Sequence, residues 1–136
     1  MSHPLRDEAG FAVRMPEIGT SPSEPFGPTE ITHWSAAGEF SERGTYLMAF
    51  TERGESQPWT LSYEESVFAL QGDTWLVELS EGGERTIPLP PHRLALIPRG
   101  TTVRYGGELG ARLLLSIAPV HWQDSTGSQP ASDTHP

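Results

Sequence analysis

Glycine and proline cut this chain into short apolar runs, and that punctuation restricts the possible folds more than any other feature. There are 14 glycines and 13 prolines in 136 residues, and they fall between runs of four to seven residues. Helices need longer uninterrupted periods, whereas strands of this length are ordinary. Eight or nine runs have strand size: Ile31–Trp34, Thr45–Thr51, Trp59–Tyr63, Ser66–Leu70, Thr74–Leu79, Arg85–Leu89, Arg93–Ile97, Thr102–Tyr105 and Arg112–Ala118. In Thr74–Leu79, Trp75, Val77 and Leu79 share one face. Glu81-Gly82-Gly83 reads as a hairpin turn and Gly106-Gly107 as another. Leu113-Leu114-Leu115-Ser116-Ile117 is apolar on both faces, as in a central strand covered on both sides. Many short strands with even turn spacing predict an all-β sandwich or jelly roll. The length suits a single domain.

The two ends read differently from the middle. Residues 1–29 carry Pro16, Pro22, Pro25 and Pro28 among serines and glycines, which predicts an extended Pro-rich arm. Phe11-Ala-Val-Arg could form one short strand within it. Residues 123–136 contain Ala131 as their one apolar residue, too little burial to repay ordering, so a disordered tail is expected. The folded domain is predicted over residues 30–122.

Composition removes several functional classes. The chain has no cysteine, which excludes disulfides, thiol nucleophiles and cysteine-based zinc sites. Nine basic residues against eighteen acidic ones give a formal charge of -9, and no basic stripe offsets it. Such a surface repels phosphate backbones, so nucleic acid is not an expected partner. No apolar run approaches the ~18 residues that span a bilayer, so no membrane association is expected. The N-terminus, Met-Ser-His-Pro-Leu-Arg-Asp-Glu, lacks the apolar segment of a signal peptide, and a cytoplasmic protein is expected.

The stretch Pro58-Trp-Thr-Leu-Ser-Tyr-Glu-Glu-Ser-Val-Phe-Ala-Leu-Gln-Gly72 resembles the first cupin motif without its histidines. That motif runs Gly, five residues, His-x-His, three or four residues, Glu, six residues, Gly. Glu65 and Gly72 keep the last spacing. Counting back from Glu65 puts the histidine positions at Trp59 and Leu61. Counting forward from Gly54 puts them at Thr60 and Ser62. The second motif runs Gly, five residues, Pro-x-Gly, two residues, His. Here His92 stands at the first glycine, Pro98-Arg99-Gly100 follows, and the last histidine position is Val103. The resemblance implies a single-domain cupin (RmlC-like) jelly-roll β-barrel whose usual metal site is lost. No metal and no cofactor is expected.

A narrower resemblance rests on four blocks: Pro58-Trp-Thr-Leu-Ser-Tyr-Glu-Glu, Gln71-Gly72, Leu96-Ile-Pro-Arg-Gly-Thr-Thr-Val and Ala118-Pro-Val-His-Trp-Gln123. Over about Tyr46 to Gln123 the chain is similar to the ethanolamine-utilization protein Q (EutQ) branch of the cupins. The resemblance implies a small β-barrel, commonly dimeric, linked to ethanolamine utilization. An acetate kinase activity has been attributed to longer members. This chain lacks their long N-terminal region, and it has no Gly-rich phosphate loop or basic cluster for a nucleotide.

A jelly roll holds its ligand in the barrel mouth, lined by alternate residues of each strand. With Glu65 inward, the period of two brings Tyr63, Leu61 and Trp59 to the same face. Val103 and Tyr105 are their counterparts on the second motif. Glu65 and Tyr63 are the candidate catalytic pair; Trp59, Leu61, Val103 and Tyr105 are the candidate ligand-binding residues. Desolvation in such a wall raises a carboxyl pKa, which suits acid–base work near neutral pH. If the register slips by one, Thr60 and Ser62 turn inward instead. Glu64 is expected on the opposite face and His92 exposed at a turn. His33, on an early strand, is the first suspect for any unconventional metal site. None of the five histidines pairs at i, i+2 or i, i+4.

Two functional classes follow. One is a metal-independent cupin that binds a small polar metabolite in the barrel and catalyses a proton transfer: isomerisation, cyclisation or elimination. The other is a non-catalytic binding or assembly protein linked to ethanolamine utilization. An open mouth above Glu65 favours the first; a mouth plugged by Trp59 and Tyr105 favours the second. Small cupins usually pair about a twofold axis, and the arm suits reaching across an interface, so a homodimer is expected.

Overall fold

The computed structural model describes residues 10–13, 15–35 and 43–119. Those residues form eleven strands and no helix: β1 Ser23–Phe26, β2 Thr29–Ser35, β3 Gly44–Phe50, β4 Gly54–Glu55, β5 Trp59–Thr60, β6 Glu64–Gln71, β7 Thr74–Ser80, β8 Gly83–Leu89, β9 Leu94–Ile97, β10 Thr102–Gly107 and β11 Arg112–Ala118. One sheet has the order β1-β2-β3-β11-β6-β9 and the other β4-β10-β7-β8, with β5 also paired to β10. Every pairing is antiparallel.

The nine expected runs all contain strands, and two short strands were not foreseen. β1 lies inside the stretch read as an arm, as does Thr29 at the start of β2. The Phe26-Gly27-Pro28-Thr29 corner explains it. Gly27 takes φ +60, a conformation that disfavours any Cβ, and the Thr29 hydroxyl donates to the Phe26 carbonyl at 2.7 Å. The corner folds β1 back onto β2 and seats Phe26 in the core. Phe11–Val13 is not in a strand, and Arg14 lies outside the described residues. So does the tail, residues 123–136.

Three local expectations change. Gly106-Gly107 is the end of β10, not a turn. The Trp75 indole lies where a Cβ on Gly106 would stand, and the Phe50 ring comes within 2.9 Å of a Cβ on Gly107. These glycines make room for aromatic rings. Trp59–Tyr63 is a strand over Trp59–Thr60, after which Leu61 exchanges bonds with Thr101 and Gly100. β11 is central, between β3 and β6, but covered fully on one face only. Leu113, Leu115 and Ile117 are in the core, whereas Leu114 and Ser116 are half-buried on the other face.

The core fills the space between the sheets. Ile31, Met48, Leu61, Val67 and Leu113 are its least exposed large members. Alternation along each strand supplies these residues: Ile31 faces Met48, and Leu113 faces Met48 and Ala69.

Candidate functional site

The inward face is apolar toward one end of the barrel and polar toward the other. From the six-stranded sheet, Glu24 (β1), His33 (β2), Tyr46 (β3) and Glu65 (β6) stand at the polar end. The register places them: His33 faces Tyr46, Tyr46 faces Leu115, and one inward step further Ile117 faces Glu65. The opposite sheet adds Trp59 and Tyr105, and the segment between β5 and β6 adds Leu61 and Tyr63.

The structure resolves the register question that the sequence leaves open. Trp59, Leu61, Tyr63 and Glu65 are buried, whereas Thr60 is exposed and Ser62 half-buried. Thr60 instead bonds Thr102 across the outer face at 2.7 Å. Val103 is opposite Trp59, five of the six nominated residues share the core cluster, and the sixth, Glu65, joins them through Tyr105. His92 is exposed and takes φ +70, so it occupies a left-handed turn where the motif has glycine. Glu64 is exposed on the opposite face from Glu65.

The polar groups of the cluster are paired. Tyr105 Oη donates to Glu65 Oε1 at 2.6 Å, and Trp59 Nε1 donates to Tyr63 Oη at 2.8 Å. The donor to Glu65 is thus a residue 40 positions along the chain. Burial pushes the Glu65 carboxyl up to about 7, although the Tyr105 bond pulls it down. Burial, and then the charge of Glu65, raises both Tyr63 and Tyr105 well above the usual phenol range. These phenols are neutral donors at physiological pH, and Glu65 is balanced between its two forms.

Aromatic packing fills the space beside this pair. Phe26 meets Trp59 edge-on at 6.0 Å and Tyr105 at 6.3 Å. Trp59 and Tyr105 are both almost fully buried. The more accessible polar groups are three that the sequence did not nominate as ligand contacts. His33 Nε2 lies 3.1 Å from Glu24 Oε2, and its ring stands edge-on to Tyr46 at 4.9 Å. Burial raises the Tyr46 phenol, with further contributions from Glu24 and then Glu65, which places it between the two carboxylates. Period-two alternation from Ile31 to His33 and from Met48 to Tyr46 was the available signal.

A cleft of about 330 Å³ is bordered by Arg43, Glu64, Ser66, Leu96 and Ser116. The strand residues among them, Glu64, Ser66, Leu96 and Ser116, belong to the outer face of the six-stranded sheet. Glu65 borders the cleft too, yet alternation turns its side chain to the inner face.

A metal does not fit the donor set. Leu61 and Val103 offer only hydrocarbon, and Trp59 bonds Tyr63 through its one nitrogen. Among the described residues, no three His, Asp or Glu side chains gather closely enough to hold an ion. Among them too, no helix is long and apolar enough to cross a membrane.

Two antiparallel sheets closed around this inward set define a cupin jelly roll, and solved structures share that fold. Ethanolamine utilization protein Q from Salmonella typhimurium LT2 superposes with a TM-score of 0.58 at 23% identity, over 68% of this chain and 70% of that one. EutQ from Clostridium difficile gives 0.57 at 20% identity, over 69% and 71%. Oxalate decarboxylase from Bacillus subtilis gives 0.66 at 12% identity, over 86% of this chain but 39% of that enzyme. No family model matches the chain, and no curated protein matches its sequence. EutQ proteins, to which the Pro58–Gly72 block is similar, therefore stand among the structural neighbours of a cupin fold.

Proposed function

We propose that this protein is an EutQ-like cupin that works without a metal, taking a small polar ligand at the polar end of its barrel. The observation that carries the reading is the Glu65–Tyr105 pair. A carboxylate with 4% exposure is costly in an apolar core, and this one is held at 2.6 Å by a single phenol. With its pKa raised to about 7, Glu65 has both its acid and its base form populated near neutral pH. As the acid it gives its proton to a ligand oxygen; as the carboxylate it takes a proton from a ligand carbon or oxygen. Tyr105 stabilises the ionised form in either direction. Proton-transfer chemistry such as isomerisation, cyclisation or elimination needs no more. Tyr63, fixed by Trp59, is the second phenol of the site.

A specific observation favours the other reading, a non-catalytic binding or assembly protein. Phe26 packs on both Trp59 and Tyr105, so the aromatic wall is plugged in this conformation. A thermal-shift screen of small polar metabolites against wild type and Glu65→Gln separates the two. A compound that stabilises wild type and not Glu65→Gln supports the acid–base site. Equal stabilisation of both proteins makes Glu65 structural, and no stabilising compound at all favours assembly.

A further inference from the structure

The register brings charged side chains of both sheets to the polar end of the barrel. The six-stranded sheet supplies Glu24 and Glu65, with His33 Nε2 3.1 Å from Glu24 Oε2. The five-stranded sheet supplies Glu78. It faces Val103, a core residue, so it stands on the inner face at the same end. Arg85 faces Glu78 in turn and donates to its Oε1 at 3.0 Å. No other guanidinium on the page is directed at this end. Arg43 and Arg104 bond Ser116 and the Ser56 carbonyl from the outer faces, and Arg53 bonds Glu108 at the far end. Arg93 and Arg99 are exposed beyond the two ends of β9, and Arg112 is exposed at the apolar end of β11. The chain contains no lysine. With Glu65 ionised, the carboxylates of Glu24, Glu65 and Glu78 therefore face Arg85, and a protonated His33 still leaves this end negative.

Two oxygens at this end are left over. Glu65 is 4% exposed and Tyr105 engages its Oε1, whereas Oε2 makes no hydrogen bond among the described residues. The half-buried Tyr46 hydroxyl makes none there either. Glu24 and Glu65 both act on Tyr46, Glu65 also acts on Tyr63 and Tyr105, and no guanidinium opposes them. Taking this end as the ligand site, as proposed above, we infer that the ligand is an organic cation: an ammonium or guanidinium group on a small hydrocarbon. An anion there meets carboxylates with no counter-charge to spare, in a cleft whose low-dielectric walls concentrate the field. A cation takes the free oxygen of Glu65 and the Glu24 side of the end, beside the phenol ring of Tyr46, which suits a diffuse positive charge. A metal ion is the wrong kind of cation, because no three His, Asp or Glu side chains gather closely enough among the described residues.

Three probes with one skeleton separate charge from shape: propylammonium, propanol and propionate. Each is titrated into the full chain at pH 8 while NMR follows the indole N–H signals of Trp59 and Trp75. Trp59 donates to Tyr63 at the site, and Trp75 donates to Glu55 on the outer face, so the two signals report where a probe sits. Propylammonium should shift the Trp59 signal and bind about tenfold more tightly than propionate. Glu24→Gln should weaken propylammonium about two- to fivefold, as for a half-exposed ion pair, and leave propanol and the melting temperature unchanged. Glu65→Gln should weaken propylammonium as well. Propionate bound as tightly as propylammonium, no binding by any of the three, or a shift at Trp75 alone would overturn the inference. So would an unchanged propylammonium affinity in both variants. The acid–base reading fails separately. Propylammonium that depends on Glu24 and not on Glu65 would keep the cation and make Glu65 structural. Propionate preferred, and lost in Glu65→Gln, would overturn the cation and keep Glu65 at the site.

Discussion

Tyr105 and Glu65 come from opposite sheets, and the 2.6 Å bond between them is the polar link across the apolar core. Burial of the Glu65 carboxyl, which the Tyr105 bond only partly offsets, gives a pH-dependent stability of unusual sign for a carboxyl group. Folding raises the Glu65 pKa from 4.5 to about 7, so the folded state keeps a proton that the unfolded chain has released. Stability is then greatest below about pH 4.5 with respect to this group, falls as pH rises through 7, and levels off above. A shift of that size corresponds to on the order of 3 kcal/mol. Denaturant unfolding at pH 5 and pH 8 measures it. Glu65→Gln, which keeps shape and an acceptor for Tyr105, should remove most of the difference between the two pH values. An equal difference in both proteins would assign it to other groups.

Tyr105→Phe removes the donor and leaves the buried carboxyl without that partner. The loss should be about 1–3 kcal/mol at pH 8, where Glu65 is charged. It should shrink at pH 5, where Glu65 is neutral and its loss of solvation is smaller. The double variant with Glu65→Gln should show non-additivity of about 0.5–3 kcal/mol in a mutant cycle at pH 8. Additive losses would mean that the two side chains are energetically independent despite their contact.

β1 is held by one large side chain, and that makes the N-terminal boundary testable. Phe26 is in the core against Trp59 and Tyr105, whereas Phe11, Val13 and Met15 are 70%, 87% and 90% exposed. Removing residues 1–18 should leave the melting temperature nearly unchanged. Phe26→Ala should cost about 3–5 kcal/mol, as for other buried phenylalanines. Removal through Thr29 should be at least as damaging, because it deletes β1 and the corner that anchors it. Equal melting temperatures for all three proteins would show that β1 contributes nothing to the barrel.

The strands were legible because their signal is local. Thr45–Thr51 and Arg112–Ala118 match β3 and β11 within a residue, since apolar content and flanking turns settle them. β1 was not legible, because Pro22, Pro25 and Pro28 hide a four-residue strand whose reason to exist is Phe26 finding Trp59, over thirty residues away. Gly106-Gly107 misled for the same reason: locally it spells a turn, and only the Trp75 and Phe50 rings explain two glycines in a strand. At the site, alternation from Glu65 was enough to gather Trp59, Leu61 and Tyr63. It could not reveal that Tyr105 is the donor to Glu65, or that Glu24 would hold His33 beside Tyr46. Those are contacts between strands distant in sequence, and only the sheet order creates them.

The last expectation concerns metal, and it rests on which atoms face the barrel. Metal sites of this kind need several nitrogen or oxygen donors converging at about 2.0–2.2 Å. At the positions matching the motif histidines, the chain offers the indole of Trp59, whose N–H is given to Tyr63, and the hydrocarbon of Leu61 and Val103. Glu65 is the single oxygen donor among the four motif positions, and it is engaged by Tyr105. His33 has Glu24 beside it, but among the described residues no third ligand joins them. Purified protein should therefore carry less than stoichiometric zinc, iron or manganese, and a chelator should leave its melting temperature where it was. Elemental analysis that finds one ion per chain would refute this. A His33→Gln variant that then lost the ion would locate the ligands at the Glu24–His33 end of the barrel.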